Sequence, residues 1–249
     1  MKTLFIDCTR GLASDMFVGA LLGCFDNKSD ILHELQLKIC NNMILSADRA
    51  KSHGRKGLLF SATCSEHSQQ QHGHSLSDVY AFIDSTEFDE EVKHDAKKVY
   101  VILADAECAV HGTSIDELHF HEVGRKRAVA CIVCACALMR MIDAQKTVFS
   151  AINIGYGKTL CAHGEVDVPA PATAKIIKDV IPNFYVKKLK GELCTPTGAA
   201  LAVYFADTFV SAEEFGKLIK NSSATARGVG LGSKDIGAAN GVIATLIQE

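Results

Sequence analysis

The chain has 249 residues, 48% of them hydrophobic, enough to bury a core in one large domain or two small ones. Its 26 Lys and Arg are balanced by 29 Asp and Glu, so it offers no basic field for a nucleic-acid backbone or an anionic membrane. The longest apolar runs, Phe17 to Cys24 and Ala128 to Met139, are shorter than the roughly 20 residues that span a bilayer. The ten cysteines are scattered through apolar segments behind an opening MKTLFID, which points to reduced thiols in a cytoplasmic protein without an export signal.

The opening KTLFID reads as a strand with Leu4 and Ile6 on one face, followed by a loop and a helix over Asp15 to Leu22. A second helix fits Asp30 to Cys40, and the runs MILSADRA and GLLFSATC, split by the turn-prone Ser52-His53-Gly54-Arg55, read as an antiparallel pair. The stretch SEHSQQQHGHS has no apolar residue and is expected as an exposed loop. Helices follow over Leu76 to about Ile83 and over about Glu90 to His111, with Gly112 as the stop. AVACIVCACALMRM, apolar nearly all round, predicts a buried helix. VFSAINIGYGKTLCAHGEVDVPAP reads as two strands around a Gly-rich turn, and PATAKIIKDV as a helix opened by Pro171. FYVKKL, a helix from Thr197 to about Phe205 and a final strand GVIATLI complete the pattern. The expected fold is α/β: a mixed sheet with hairpins and packed helices in a single compact unit over 1–249, with a possible sub-boundary near 145.

In HFHEVG, extended geometry would put His119 and His121 on one face and Phe120 in the core. Two imidazoles so placed can hold a divalent metal; Glu122 becomes a third ligand or base only with a bend, which Gly124 permits. The alternative is a helix N-terminus with polar surface histidines. His72 and His74 repeat the spacing in the polar loop, and four nitrogens would suit zinc, copper, iron or nickel better than magnesium or calcium. Asp7 closes the first strand and Asp15 opens the next helix, at the strand end where α/β ligands collect; taken alone, capping of the helix by Ser14 or Asp15 and loop hydrogen bonding by Asp7 are the simpler explanation. Gly155-Tyr156-Gly157-Lys158-Thr159 is no P-loop, because Ile152 stands where the leading glycine belongs. Gly228-Val229-Gly230-Leu231-Gly232 reads as a flexible loop. Thr195-Pro196-Thr197-Gly198 either seats an anion at a helix N-terminus or simply caps it. Cys131, Cys134 and Cys136 are expected as small buried side chains rather than metal ligands, and no Gly-x-Ser-x-Gly elbow is present.

Taken together, DCTRGLASDM, EHSQQQHGHSLSD, AEC-AVHG into HFHEVG, INIGYGKTLCAHGEVDVPAPATA and GELCTPTGAAL resemble the nickel-insertion proteins that complete the nickel-pincer nucleotide cofactor of lactate racemase. The resemblance covers nearly the whole chain. It implies a nickel chelatase, or cyclometallase, that is CTP-dependent and places nickel between two thiocarboxylate sulfurs and a ring carbon of a pyridinium mononucleotide. By that resemblance His72, His74, His119 and His121 hold nickel; Glu122, Asp7 or Asp15 takes the ring proton; and Gly155, Gly157, His163, Thr195 and Thr197 cradle the nucleotide. It also implies two carboxylates just after HFHEVG, where this chain has Arg127 and Cys131, and Ser and Gly where it has Arg10 and Ser14. Members of the family continue into a CTP-associated domain that this sequence lacks, so CTP is expected from a separate domain or partner subunit. A homo-oligomer is expected. The alternatives are a nickel- or nucleotide-binding paralogue without turnover and, more distantly, a zinc hydrolase.

Overall fold

The computed structural model describes residues 1–40, 42–64, 74–161, 164–181 and 185–248. In chain order the elements are β1 (Lys2–Asp7), α1 (Ser14–Leu22), α2 (Lys28–Ile39), β2 (Met43–Ser52), β3 (Arg55–Cys64), α3 (Leu76–Asp84), α4 (Glu90–His111) and α5 (Lys126–Ile142). They continue as β4 (Lys146–Ser150), β5 (Ile152–Asn153), β6 (Gly155–Tyr156), β7 (Lys158–Cys161), β8 (Gly164–Asp167), α6 (Pro171–Val180), β9 (Tyr185–Val186) and β10 (Gly191–Glu192). The last are α7 (Pro196–Phe205), β11 (Thr208–Val210), α8 (Ala212–Lys220), β12 (Ala224–Leu231) and β13 (Gly241–Gln248).

Seven strands form one mixed sheet in the order β11-β4-β1-β13-β12-β3-β2. β1 runs parallel to β4 and antiparallel to β13, and β2 and β3 form the expected hairpin. Because β4 starts just past residue 145 and pairs with β1, the chain on both sides of that point builds the same sheet. Alternation along KTLFID decides which side each residue serves. Leu4 and Ile6 are fully buried in the main core with α1, α4 and α5, while Phe5 joins Val148, Val210, Phe215 and Ile247 on the other face. There α8 lays Phe215 edge-on against Phe5, with ring centroids 5.8 Å apart. No helix among the described residues is long and apolar enough to cross a membrane.

Three readings need correction. Gly228 to Leu231 of GVGLG are not a loop: they end the interior strand β12, where an added Cβ on Gly228 would lie 2.0 Å from the Ala20 carbonyl and one on Gly230 1.8 Å from that of Met16. These glycines let the backbone of α1 rest directly on the sheet, a tertiary requirement that local propensity does not announce. The segment expected as two strands is broken into β4 through β8, with only β7 and β8 forming a hairpin. In FYVKKL, whose Phe184 lies outside the described residues, Tyr185–Val186 are strand, and β11, α8 and β12 fill the stretch where only one final strand was expected.

The helical layer is stapled by a largely buried carboxylate. Asp95 on α4, 4% exposed, accepts from Arg140 Nε (2.6 Å) and Nη2 (3.0 Å) on α5 and from Tyr204 Oη (2.6 Å) on α7. Removing the guanidinium leaves that charge with one hydroxyl donor. Arg140→Met should therefore cost about 2 kcal/mol in denaturant titration, the low side for a broken buried pair because Arg140 is itself half-exposed. Glu91→Gln, at the solvent end of the same network, should change stability by less than about 0.5 kcal/mol.

Candidate functional site

The carboxyl end of β1 meets the first turns of α1 and α7. The loop after β1 is zipped to the segment before α7 by Leu12 N donating to Leu193 O (2.8 Å) and Thr195 N donating to Leu12 O (3.0 Å). Gly198 is required by this approach, since a Cβ there would lie 2.3 Å from the Leu12 carbonyl oxygen. Thr195 caps α7 by accepting from Gly198 N, and its hydroxyl lies 3.0 Å from that of Thr197. Thr197 Oγ1 donates in turn to Ser14 Oγ (3.2 Å), so the hydroxyls run from one helix N-terminus to the other. Ser14 also meets the Cys131 thiol of α5, which burial and the neighbouring Asp15 push up to about 12. That thiol stays protonated at neutral pH and offers no thiolate.

The two aspartates differ in what they do. Asp7 Oδ1 accepts from Thr9 N (2.9 Å) and Thr9 Oγ1 (2.6 Å), which turns the loop. Asp15 does not cap α1: the capping position is Ala13, with no side-chain cap bond, and Asp15 Oδ1 accepts from Met16 N at 2.8 Å. Burial pushes the Asp15 carboxyl above the ordinary range, opposed by hydrogen bonds from the Met16 and Asp15 amides and by the charges of Arg127 and Lys234. It is a partly buried carboxylate, poised to hold a proton, at a strand end between two helix N-termini.

From His119 to His121, HFHEVG has the alternation its spacing predicts, which ends at Glu122. Phe120 is 1% exposed, edge-on to Tyr100 at 5.8 Å, while His119, His121 and Glu122 face solvent. Glu122 lies in a bend, and Val123 O accepts from the Tyr100 hydroxyl (2.7 Å). His74 joins this segment through a two-bond bridge: its N donates to Phe120 O and its O accepts from Phe120 N, both at 2.8 Å. Asp78, held low chiefly by Ser75, also feels His74 and His119, so these groups share one neighbourhood. His72 and His163 lie outside the described residues. Among the described residues, no group of three or more His, Cys, Asp or Glu side chains is arranged to hold a metal ion.

Gly155 and Gly157 both have positive φ, +79° and +100°. The Gly155 amide already donates to Asn153 Oδ1 (3.3 Å), and the buried Asn153 also accepts from Lys188 N and donates to Thr9 O. Asn153 thus ties the glycine turn to the loop after β1. Glu192 and Lys234 escaped the sequence reading. The Glu192 side chain, 14% exposed, lies 3.4 Å from both Lys234 Nζ and Thr159 Oγ1. Glu192 sits in the string GELCTPTGAAL, the one signal that could have drawn notice to it; Lys234 stands in an unremarkable loop.

The mixed α/β fold brings a partly buried acid and a ladder of hydroxyls together at one strand end, the place where ligands of open α/β sheets collect. The chain belongs to the nickel insertion protein family, whose model matches residues 4–249. Its relatives include pyridinium-3,5-bisthiocarboxylic acid mononucleotide nickel insertion proteins from three organisms. That of Staphylococcus epidermidis is 36% identical over 237 residues, covering 94% of this chain and 56% of the relative. Those of Alkaliphilus metalliredigens (30% over 266 residues, 99% of this chain and 60% of the relative) and Lactiplantibacillus plantarum (32% over 267 residues, 100% and 62%) are also similar. The chain therefore spans little more than half the length of these relatives. No solved structure matches it.

Proposed function

We propose that this chain inserts nickel into pyridinium-3,5-bisthiocarboxylic acid mononucleotide, forming the nickel-pincer cofactor of lactate racemase and its relatives, with Asp15 as the base. The observation that carries this reading is the meeting of DCTRGLASDM and GELCTPTGAAL around a carboxyl that burial makes readier to hold a proton. The ring carbon that must bond nickel lies between the two thiocarboxylates. Its C–H electron pair goes to Ni²⁺, its proton goes to Asp15, the two sulfurs complete the pincer, and no electron is gained or lost. Thr195, Thr197 and Ser14 supply hydroxyl donors for the phosphate at the helix N-termini. His119, His121, His74 and His72 deliver nickel on ligands that bind it well yet release it. Asp7 and Glu122 are the remaining candidates for the proton; Asp7 is committed to Thr9 and Glu122 is solvated. The reaction depends on CTP, and the working protein is a cytoplasmic homo-oligomer.

The test combines purified chain, nickel, the mononucleotide and CTP, with and without the C-terminal part of a full-length relative. Product is read as the mass of one nickel gained and one proton lost. X-ray absorption of the nickel-loaded chain should show imidazole ligation, and His119→Ala with His121→Ala should weaken nickel binding at least tenfold. Unchanged affinity in that double variant would remove both histidines from the nickel pathway. A second reading, a nickel- or nucleotide-binding protein without turnover, draws on Arg127, a cation beside Asp15 where a metal would be repelled. Nickel binding with no product under either condition would establish it.

A further inference from the structure

The ten-residue strand β2 forms one edge of the sheet, paired with β3 in unbroken register from Met43 opposite Cys64 to Ser52 opposite Arg55. In such a ladder the backbone groups point alternately toward the partner strand and away from it. Gln36 of α2 marks the outward set: Leu45 N donates to its Oε1 (2.7 Å), and its Nε2 donates to Met43 O (2.8 Å). One side chain thus stands in for a neighbouring strand at the start of β2. By the same alternation the N–H and C=O groups of Ala47, Arg49 and Lys51 also point outward, and no partner meets them among the described residues. There α2 stands off the sheet. A cavity of about 200 Å³ opens between its first turn and β2, floored by the buried Leu22 and Leu58 and rimmed by Lys28, Ala47 and Arg49, with Asp26 as its one carboxylate.

The charge on this edge is uncompensated. Arg49 and Lys51 lie two residues apart on one face of β2, and Lys51 stands directly opposite Lys56 of β3. None of the three has an ion-pair partner among the described residues. Like charges facing each other across a ladder are unfavourable, and an anion placed beside them relieves the repulsion. We infer that the outer edge of β2 is a docking site for an acidic peptide segment of another protein, taken up as an additional antiparallel strand. Pairing on Ala47, Arg49 and Lys51 supplies the main-chain bonds, and alternate side chains of the added strand fall on the same face as those of Arg49 and Lys51. Carboxylates opposite Lys51 and Arg49 meet both cations, and the next alternate side chain, small and apolar, enters the cavity beside Ala47. Read from its N-terminus, the recognised segment is acid-x-acid-x-apolar. A second copy of this chain fits the edge poorly, because it would bring its own Arg49 and Lys51 alongside. Leu22, which lines the cavity, ends α1, whereas Asp15 lies in the first turn of that helix, so this surface is separate from the proposed nickel-insertion site.

The test is fluorescence-anisotropy titration of the full chain with a labelled peptide, glutamate-threonine-glutamate-threonine-valine, extended by glycine and serine at both ends. One control carries N-methyl groups on the two glutamate amides, which keeps the charge and removes the main-chain donors; the other has lysine in place of glutamate. The wild-type chain should bind the acidic peptide at least about tenfold more tightly than either control, the effect of two lost main-chain bonds or two reversed charge pairs. The double variant Arg49→Glu with Lys51→Glu should reverse the preference and favour the lysine peptide, a gain that a loss of fold would not give. Both side chains are exposed, so the variant should melt with the wild type. Failure of the wild-type chain to bind the acidic peptide, or equal binding of its N-methylated form, would overturn strand addition and leave the edge a charged patch. Dimers of the chain alone that the double variant dissolves in sedimentation would assign the edge to a second copy and overturn the acidic-peptide assignment.

Discussion

Asp15→Asn should fold normally and lose cofactor formation by about 10²–10⁴-fold, the range expected when a positioned proton acceptor is removed. The amide keeps the carbonyl that accepts from Met16 N and the shape of the side chain, so what disappears is the capacity to take a proton. The same variant should be more stable than the wild type at neutral pH. Burial raises the Asp15 pKa in the folded state, so the protonated form favours folding. That stability is fully present below the unfolded-state pKa of about 4 and is lost as pH rises through the raised folded value. Asparagine has no such loss, and the gap in melting temperature between variant and wild type should close as pH falls into the acid range. Turnover by the wild type should run the opposite way, rising with pH as Asp15 ionises. A variant that is both inactive and less stable at neutral pH would show Asp15 to be structural.

What could be read from the chain depended on how local its cause was. α4 was legible because a 3.6-residue stripe runs from Val92 to Ala106 and Gly112 stops it in a left-handed conformation. The β2–β3 hairpin was legible because Ser52 to Arg55 breaks two extended runs. β12 was not, because its glycines answer to α1, some two hundred residues away in sequence, and a strand of small residues gives no periodic signal. The site divides in the same way. Asp15 and the Thr195–Thr197 cap follow from strand-loop-helix grammar. Glu192 and Lys234 are separated by 42 residues and meet only once β10 and the loop before β13 are in place. HFHEVG lies between these cases: its alternation is local and was read correctly, while its pairing with His74 is tertiary.

Gly230→Ala should be the most damaging of the single-atom additions, costing at least about 3 kcal/mol or preventing soluble folding. Its Cβ would stand 1.8 Å from the Met16 carbonyl oxygen and 2.6 Å from the Ala20 amide. Those are backbone atoms of α1, which cannot rotate aside as a side chain would. Relief requires lifting α1 off β12, and Asp15 and Ser14 are the first residues of that helix. A displaced α1 also strains the Thr197-to-Ser14 hydrogen bond and moves Asp15 away from Arg127 and Lys234. Any soluble Gly230→Ala protein should therefore lose ligand binding along with stability, although residue 230 belongs to the sheet beneath the site. Gly216→Ala is the matched control. It lies inside α8 with no atom within 4 Å of the added methyl, and should stabilise the chain by about 0.5–1 kcal/mol through helix propensity alone. Thermal melts of the two variants, with the cofactor-formation assay on whichever proteins fold, check both outcomes; equal behaviour of the two would mean that α1 does not rest on β12 as closely as described.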